Sequence, residues 1–307
     1  MLYREAIAEV TLSAMRADPN VVLLGQGVTD AKGVFGTCLG AAREFPGRCI
    51  EAPVSETMLT GACVGLAMEG YKPILVHARA DWSLLSFEHL INTGAKIPFL
   101  HDKPIPFIMR VLVGRGWGQG PVHSQSFHHM LAEIPGLNVV MPVTPQGYLE
   151  HFRWALGRSS PTVIIEPRRL YETSIATERL HGLEYMKDGW CHVNIVTLGD
   201  AALDALDAAA YLKNDGKKVS VIPWQTLGHP APVLLAGPVL TVDIAPRRPQ
   251  PGLLAPPFLP QGVSEVYEKA WYVTPEAIVK AAYQLMKKPY PSVEVEATPE
   301  RVFTEAF

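Results

Sequence analysis

Three short segments carry residue types that could do chemistry. The first is Ala52-Pro53-Val54-Ser55-Glu56, which runs straight into the apolar stretch Thr57–Met68. Glu56 is the only charged side chain over residues 56–68. A carboxyl in a first helical turn can serve the helix dipole or a cap. A carboxyl enclosed by apolar neighbours instead has its pKa raised, which prepares it to share a proton with a ligand nitrogen. Both readings fit the residues. The second segment is Gly114-Arg-Gly-Trp-Gly-Gln-Gly120, followed by Pro121-Val122-His123-Ser124-Gln125-Ser126. Alternating glycines permit positive φ and close approach of backbone to a ligand. No Gly-Lys-Ser/Thr follows, so it is not a phosphate loop. It could be a mobile surface loop or part of a site. His123, just after a buried strand, lies where α/β sheets place ligands. The third is Arg79-Ala80-Asp81-Trp82, where Trp82 is either core or a flat apolar face for a heterocycle.

Other candidates are weaker. Gly25-Gln26-Gly27-Val28-Thr29-Asp30 follows an apolar strand, but Asp30 stands where a dinucleotide fingerprint needs its third glycine. A plain strand-to-helix turn is expected there. Histidines 77, 89, 101, 128 and 129 show no metal-ligand spacing, and no metal site is expected on this chain.

These segments need rigid elements to position them, and the chain has the length and composition to build them. It has 307 residues, 48% hydrophobic and 19% charged, which excludes general disorder and favours two domains. The net charge of −3 offers no basic field for nucleic acid. Four cysteines without a CxxC pair suit a reducing cytosol. With no signal peptide and no apolar run long enough to span a bilayer, a cytoplasmic protein is expected.

Apolar β runs alternate with helical periodicity throughout the first half. Strands are expected at 21–25, 48–51, 73–78, 106–111, 138–141 and 162–166. Helices are expected over 2–14, after Thr37, and over 56–69 (capped by Ser55, with Gly70 just beyond), 82–95, 126–133 and 146–156. The rhythm restarts with strands at 193–198, 218–223 and 239–244 and helices from Asp200 and Thr274. This predicts an α/β fold of two doubly wound, mostly parallel sheets. The expected boundaries are a first domain over 1–171, a linker over 172–190 and a second domain over 191–307. Ten of the prolines fall between Pro223 and Pro260, where one strand and an irregular connection are expected.

Taken in order, GQGV, APVSE-TMLTGACVGLAMEG, the strand ending near Trp82, the glycine loop with HSQS, PGLNVVMP and PTVIIEP-RRLY resemble the β subunit of thiamine-diphosphate-dependent 2-oxoacid dehydrogenases. The likeness runs from about Val21 to Tyr171, and VNIVTLGD continues it. It implies a transketolase-like pyrimidine-binding domain followed by a shortened transketolase C-terminal domain. It further implies that Glu56 hydrogen-bonds the cofactor's pyrimidine, that Val54 places its backbone near the ring and that Trp82 packs on it. His123 matches the histidine that acts on the reacting oxygen or assists acyl transfer.

The resemblance also implies what lies elsewhere. Diphosphate and Mg²⁺ are held in such enzymes by a Gly-Asp-Gly…Asn motif. This chain has only Gly199-Asp200-Ala201, better read as a turn that caps a helix. An α-type partner is therefore expected to supply those ligands, in an α2β2 assembly. Relatives dock a lipoyl-bearing acyltransferase through the second domain. Here that domain is shorter and proline-rich between Asp243 and Thr274, which counts against docking. Arg158 stands where some relatives have an acidic residue near a structural monovalent cation, so that ion is not expected. Two further readings stay open at this point: a split-transketolase-like carboligase of specialised metabolism, and a non-catalytic scaffold of the α partner.

Overall fold

In a computed structural model, residues 1–116, 118–176, 190–228 and 237–291 are described. They form two compact units. One comprises Met1–Gly114, His123–Ser174 and Thr226–Gly228; the other takes Arg115–Val122, Ile175–Gln225 and the C-terminal residues. Most of the expected linker, 177–189, lies outside the described residues.

The strands are β1 (Val21–Gly25), β2 (Cys49–Glu51), β3 (Lys72–His77), β4 (Ile108–Val113), β5 (Asn138–Val140), β6 (Thr162–Pro167), β7 (Val193–Thr197), β8 (Val219–Pro223), β9 (Thr226–Leu227), β10 (Val239–Val242) and β11 (Leu253–Leu254). The helices are α1 (Tyr3–Ala17), α2 (Leu39–Glu44), α3 (Glu56–Met68), α4 (Ile97–His101), α5 (His128–Ala132), α6 (Pro145–Leu156), α7 (Ala201–Asn214), α8 (Glu265–Trp271) and α9 (Pro275–Leu285).

The first unit is built on a sheet ordered β2-β1-β3-β4-β6-β5-β9. Every neighbouring pair is parallel except β5–β9, at one edge. The chain crosses from β2 at one side of β1 to β3 at the other. The carboxyl ends of β1 and β3 therefore flank a topological switch point, the usual ligand crevice of an open α/β sheet. β1, β4 and β6 are buried along their whole length. Apolar runs rather than alternation are what a parallel sheet covered on both faces requires.

One pair of core positions breaks that pattern. Arg110 on β4 and Glu166 on β6 are both fully buried, with Nε–Oε1 2.6 Å and Nη2–Oε2 3.1 Å. Tyr148 and Tyr171 donate their hydroxyls to the same carboxylate at 2.5 and 2.6 Å, and Arg110 Nη2 donates to Thr37 Oγ1 at 2.9 Å. Burial works against the guanidinium charge, but Glu166 outweighs it and holds Arg110 above its ordinary range. Burial and the Glu166 charge push both tyrosines well up.

The second unit carries an all-parallel sheet ordered β11-β10-β7-β8, with α7 and α9 packed together. Thr274 caps α9, its Oγ1 accepting from Ala277 N–H at 3.2 Å, and Pro275 fills the first turn.

Four local expectations change. Residues 82–95 are not an α-helix: a 3₁₀ segment, Ala80–Ser86, leads into a π-helical segment, Glu88–Gly94. Ser83 Oγ bonds back to Ala80 C=O at 2.6 Å, and Gly94 packs closely on Pro161. Such tertiary packing overrides helical periodicity. Ser55 occupies the cap position of α3 without a side-chain hydrogen bond to the helix. Asp200 likewise does not cap α7; it pairs with Arg115 at 3.1 Å, and Asp204 joins it at 2.7 Å. Finally, β9 and β11 appear where one strand and an irregular connection were expected, because two-residue strands leave no periodic signal.

Candidate active site

α3 begins at Glu56, directly after the loop from β2. Its buried face is Glu56, Leu59, Thr60, Cys63, Val64 and Ala67. Glu56 is 6% exposed, whereas Val54, two residues earlier, is 70% exposed. The Glu56 carboxylate makes no hydrogen bond or ion pair with the described residues. Its main chain, by contrast, is fastened. Thr60 Oγ1 donates to the Glu56 carbonyl at 2.8 Å, and Ser86 Oγ donates to it at 3.4 Å. Thr57 Oγ1 donates to the Leu85 carbonyl at 2.8 Å. The start of α3 is thus tied to the 3₁₀ segment that follows β3.

That segment holds Trp82, half-buried. Its ring lies 6.0 Å from the His123 ring, centroid to centroid, at 78°. A second edge-to-face pair, Phe87–Phe127 at 6.2 Å, joins the same two stretches of chain. Beside Trp82, Asp81 is 8% exposed and accepts from Gln125 Nε2 at 2.7 Å. Burial raises the Asp81 pKa; the Gln125 side chain and backbone and the His123 charge act in the opposite sense. His77, at the end of β3, is 4% exposed and shares a 3.0 Å hydrogen bond with Ser86 Oγ. Burial pushes its pKa down to about 4, so the ring is neutral at pH 7.

The glycine run before His123 is held in place rather than free. Arg115, paired with Asp200 and Asp204, lies 4.4 Å from the Tyr272 ring centre. Gly118 donates its N–H to the Glu268 carboxylate at 2.6 Å and accepts from Ser264 N–H at 3.0 Å. Its φ is +62°, and a Cβ there would stand 2.5 Å from Glu265 N, so this position requires glycine.

The Gly25–Asp30 turn is not a phosphate cradle. The Glu51 carboxylate accepts from Gly27 N–H at 2.5 Å and from Thr29 N–H at 2.8 Å. Those donors already face a negative charge, which would repel a phosphate.

Of the residues singled out in the sequence, Trp82 and His123 come together, and Glu56 is anchored to the segment carrying Trp82. Val54 projects to the surface of the loop before α3. Asp81, Gln125, His77 and Ser86 were missed as parts of this arrangement. Only the adjacency of Asp81 to Trp82 and of Gln125 to His123 could have pointed to two of them.

The family profile described as transketolase, pyrimidine binding domain, matches residues 1–174. The chain belongs to this family. It is 27% identical over 233 residues to a pyruvate dehydrogenase E1 component subunit beta of Rickettsia conorii, covering 73% of this chain and 71% of that one. It is 28% identical over 240 residues to an acetoin:2,6-dichlorophenolindophenol oxidoreductase subunit beta of Cupriavidus necator, covering 72% and 71%. Among solved structures, a split-gene transketolase described as an inactive beta4 tetramer superposes with TM-score 0.71 at 18% identity, over 94% of this chain and 98% of that one. Transketolase from Leishmania mexicana gives 0.74 at 19%, covering 95% and 47%. The structural matches show the α/β fold, and the two sequence relatives are β subunits by name, one of a pyruvate dehydrogenase E1 component and one of an acetoin oxidoreductase.

Proposed function

We propose that this chain is the β-type subunit of a two-chain thiamine-diphosphate enzyme acting on a 2-oxoacid or related ketone donor. The observation that carries the reading is Glu56: a carboxylate 6% exposed, at the head of an apolar helix, with no hydrogen-bond partner among the described residues. A carboxylate set among apolar neighbours and left unpaired by its own chain is available to a ligand's hydrogen-bond donor. The donor set fits the cofactor's aminopyrimidine, whose ring nitrogen is the complementary partner of a carboxyl. Thiamine diphosphate, when bound, supplies a thiazolium carbanion that adds to the donor's oxo carbon and accepts the electrons of the broken carbon–carbon bond.

The residues of this chain then divide the work. Glu56 holds and returns a proton at the pyrimidine ring nitrogen. Trp82 would offer an apolar face to the same ring, and the Val54 backbone would lie near it. His123, against Trp82, donates a proton to the reacting oxygen and serves acyl or ketol transfer. An α-type partner supplies the diphosphate and Mg²⁺ ligands, in an α2β2 assembly in the cytoplasm. The two-oxygen carboxylate of Glu51 at the first glycine turn leaves no diphosphate site there.

Turnover of the complex with its α-type partner tests the assignment. Glu56→Ala is expected to lower turnover by about 10²–10⁴-fold, the usual worth of general acid–base catalysis, with the assembly intact. Full turnover in that variant would refute the proton-relay role.

A further inference from the structure

We infer that Asp81 is a positioning residue that orients His123 by gripping Gln125. The inference rests on the reading above, in which His123 works on the donor. Asp81 precedes Trp82 in the 3₁₀ segment and Gln125 follows His123 by two residues, so one carboxylate links the two stretches that bring Trp82 and His123 together. The grip is specific. Gln125 Nε2 donates to Oδ1 at 2.7 Å, and the Gln125 backbone acts on the carboxyl in the same sense. The other oxygen, Oδ2, is sealed from solvent with no hydrogen bond, as is Ser124 Oγ between His123 and Gln125.

A buried carboxylate with one orphan oxygen is an expensive way merely to fill space, since an apolar residue of similar size would cost less. Its advantage is directional: a short hydrogen bond from a rigid segment fixes the angle at which the histidine stretch passes Trp82. Catalytic groups lose rate when they are misplaced by about an ångström.

The test uses the full chain with its partner for kinetics, and the full chain alone for histidine-ring NMR. Asp81→Ala is expected to lower kcat by about ten- to a hundredfold with KM within about threefold. Gln125→Ala should lower kcat in the same direction, and the double variant should be no worse than Asp81→Ala. Asp81→Asn keeps an acceptor for Gln125 and should recover most of the loss. In the cofactor-free chain, the His123 ring resonance (assigned with His123→Ala) should move in the Asp81→Ala and Gln125→Ala variants and return in Asp81→Asn. Losses that multiply in the double variant, a change in KM alone, or an unmoved His123 resonance would each overturn the inference. Gln125 is exposed, so its variant carries the test even where Asp81→Ala fails to fold. The NMR arm needs no turnover, so its outcome stands apart from that of the thiamine-diphosphate reading.

Discussion

His77 is a histidine that the fold keeps neutral. It ends β3, shares a hydrogen bond with Ser86, and through Ser86 touches the Glu56 carbonyl at the head of α3. Burial holds its pKa at about 4 against an ordinary 6.5. Between those values the unfolded chain binds the proton and the folded chain does not. Stability from this group is therefore complete above about pH 6.5 and is lost as pH falls towards 4, at up to about 1.4 kcal/mol per pH unit. His77→Gln, which keeps a partner for Ser86, should flatten the fall in melting temperature between pH 6.5 and 4 relative to the parent chain. Parallel pH curves for the two proteins would show that His77 carries no such linkage. At this scale the sequence displayed Glu56, Trp82 and His123, because each sits inside a local motif. It did not display the Asp81–Gln125 pair, whose members are 44 residues apart and meet only when β3 and β4 lie side by side.

Among the elements, β4 and β6 are joined by a buried polar network as well as by their backbone ladder. Arg110 and Glu166 are surrounded by Thr37, Cys38, Tyr148 and Tyr171, so each Glu166 oxygen accepts two hydrogen bonds and four of the five Arg110 N–H groups have a partner. Removing one partner leaves a buried charge uncompensated, whereas removing both need not. Glu166→Gln is expected to cost about 3–5 kcal/mol in denaturant unfolding, and Arg110→Met with Glu166→Leu to recover much of it. An unchanged unfolding midpoint in Glu166→Gln would mean that the network contributes little. The strands themselves were legible as apolar runs to within two residues. The 3₁₀ and π segments over 80–94 were not, because their apolar spacing also fits an α-helix; side-chain bonds to the backbone and the packing of Gly94 on Pro161 decide the winding. The glycine run was legible as a permissive backbone, but its fastening to Glu268 and Ser264 depends on α8, some 150 residues on.

At the scale of the whole molecule, the proposed function gives this chain the pyrimidine side of the site and an α-type partner the diphosphate side. Asp200, the one acidic residue in a Gly-Asp context, is paired with Arg115 at 3.1 Å. Thiamine diphosphate with Mg²⁺ is accordingly expected to bind the complex with an α-type partner and to bind this chain alone at least a hundredfold more weakly, a difference of about 2.7 kcal/mol. Calorimetry on the two preparations reads this directly, and tight binding to the lone chain would place a diphosphate site here. No helix among the described residues is long and apolar enough to cross a membrane.

The sequence by itself determined the α/β class, the positions of the principal strands along the chain and the family, because buried parallel strands are continuous apolar runs and the PVSE and HSQS segments are local in the chain. It also determined which side chains could carry chemistry. Tertiary structure decided which of them meet: that the Glu56 carboxylate has no hydrogen-bond partner among the described residues, that Trp82 faces His123, that Glu51 fills the first glycine turn, and that Arg110 pairs with Glu166 inside the sheet. Those facts follow from strand order and register, which bring distant residues within a few ångströms and leave no mark on local spacing.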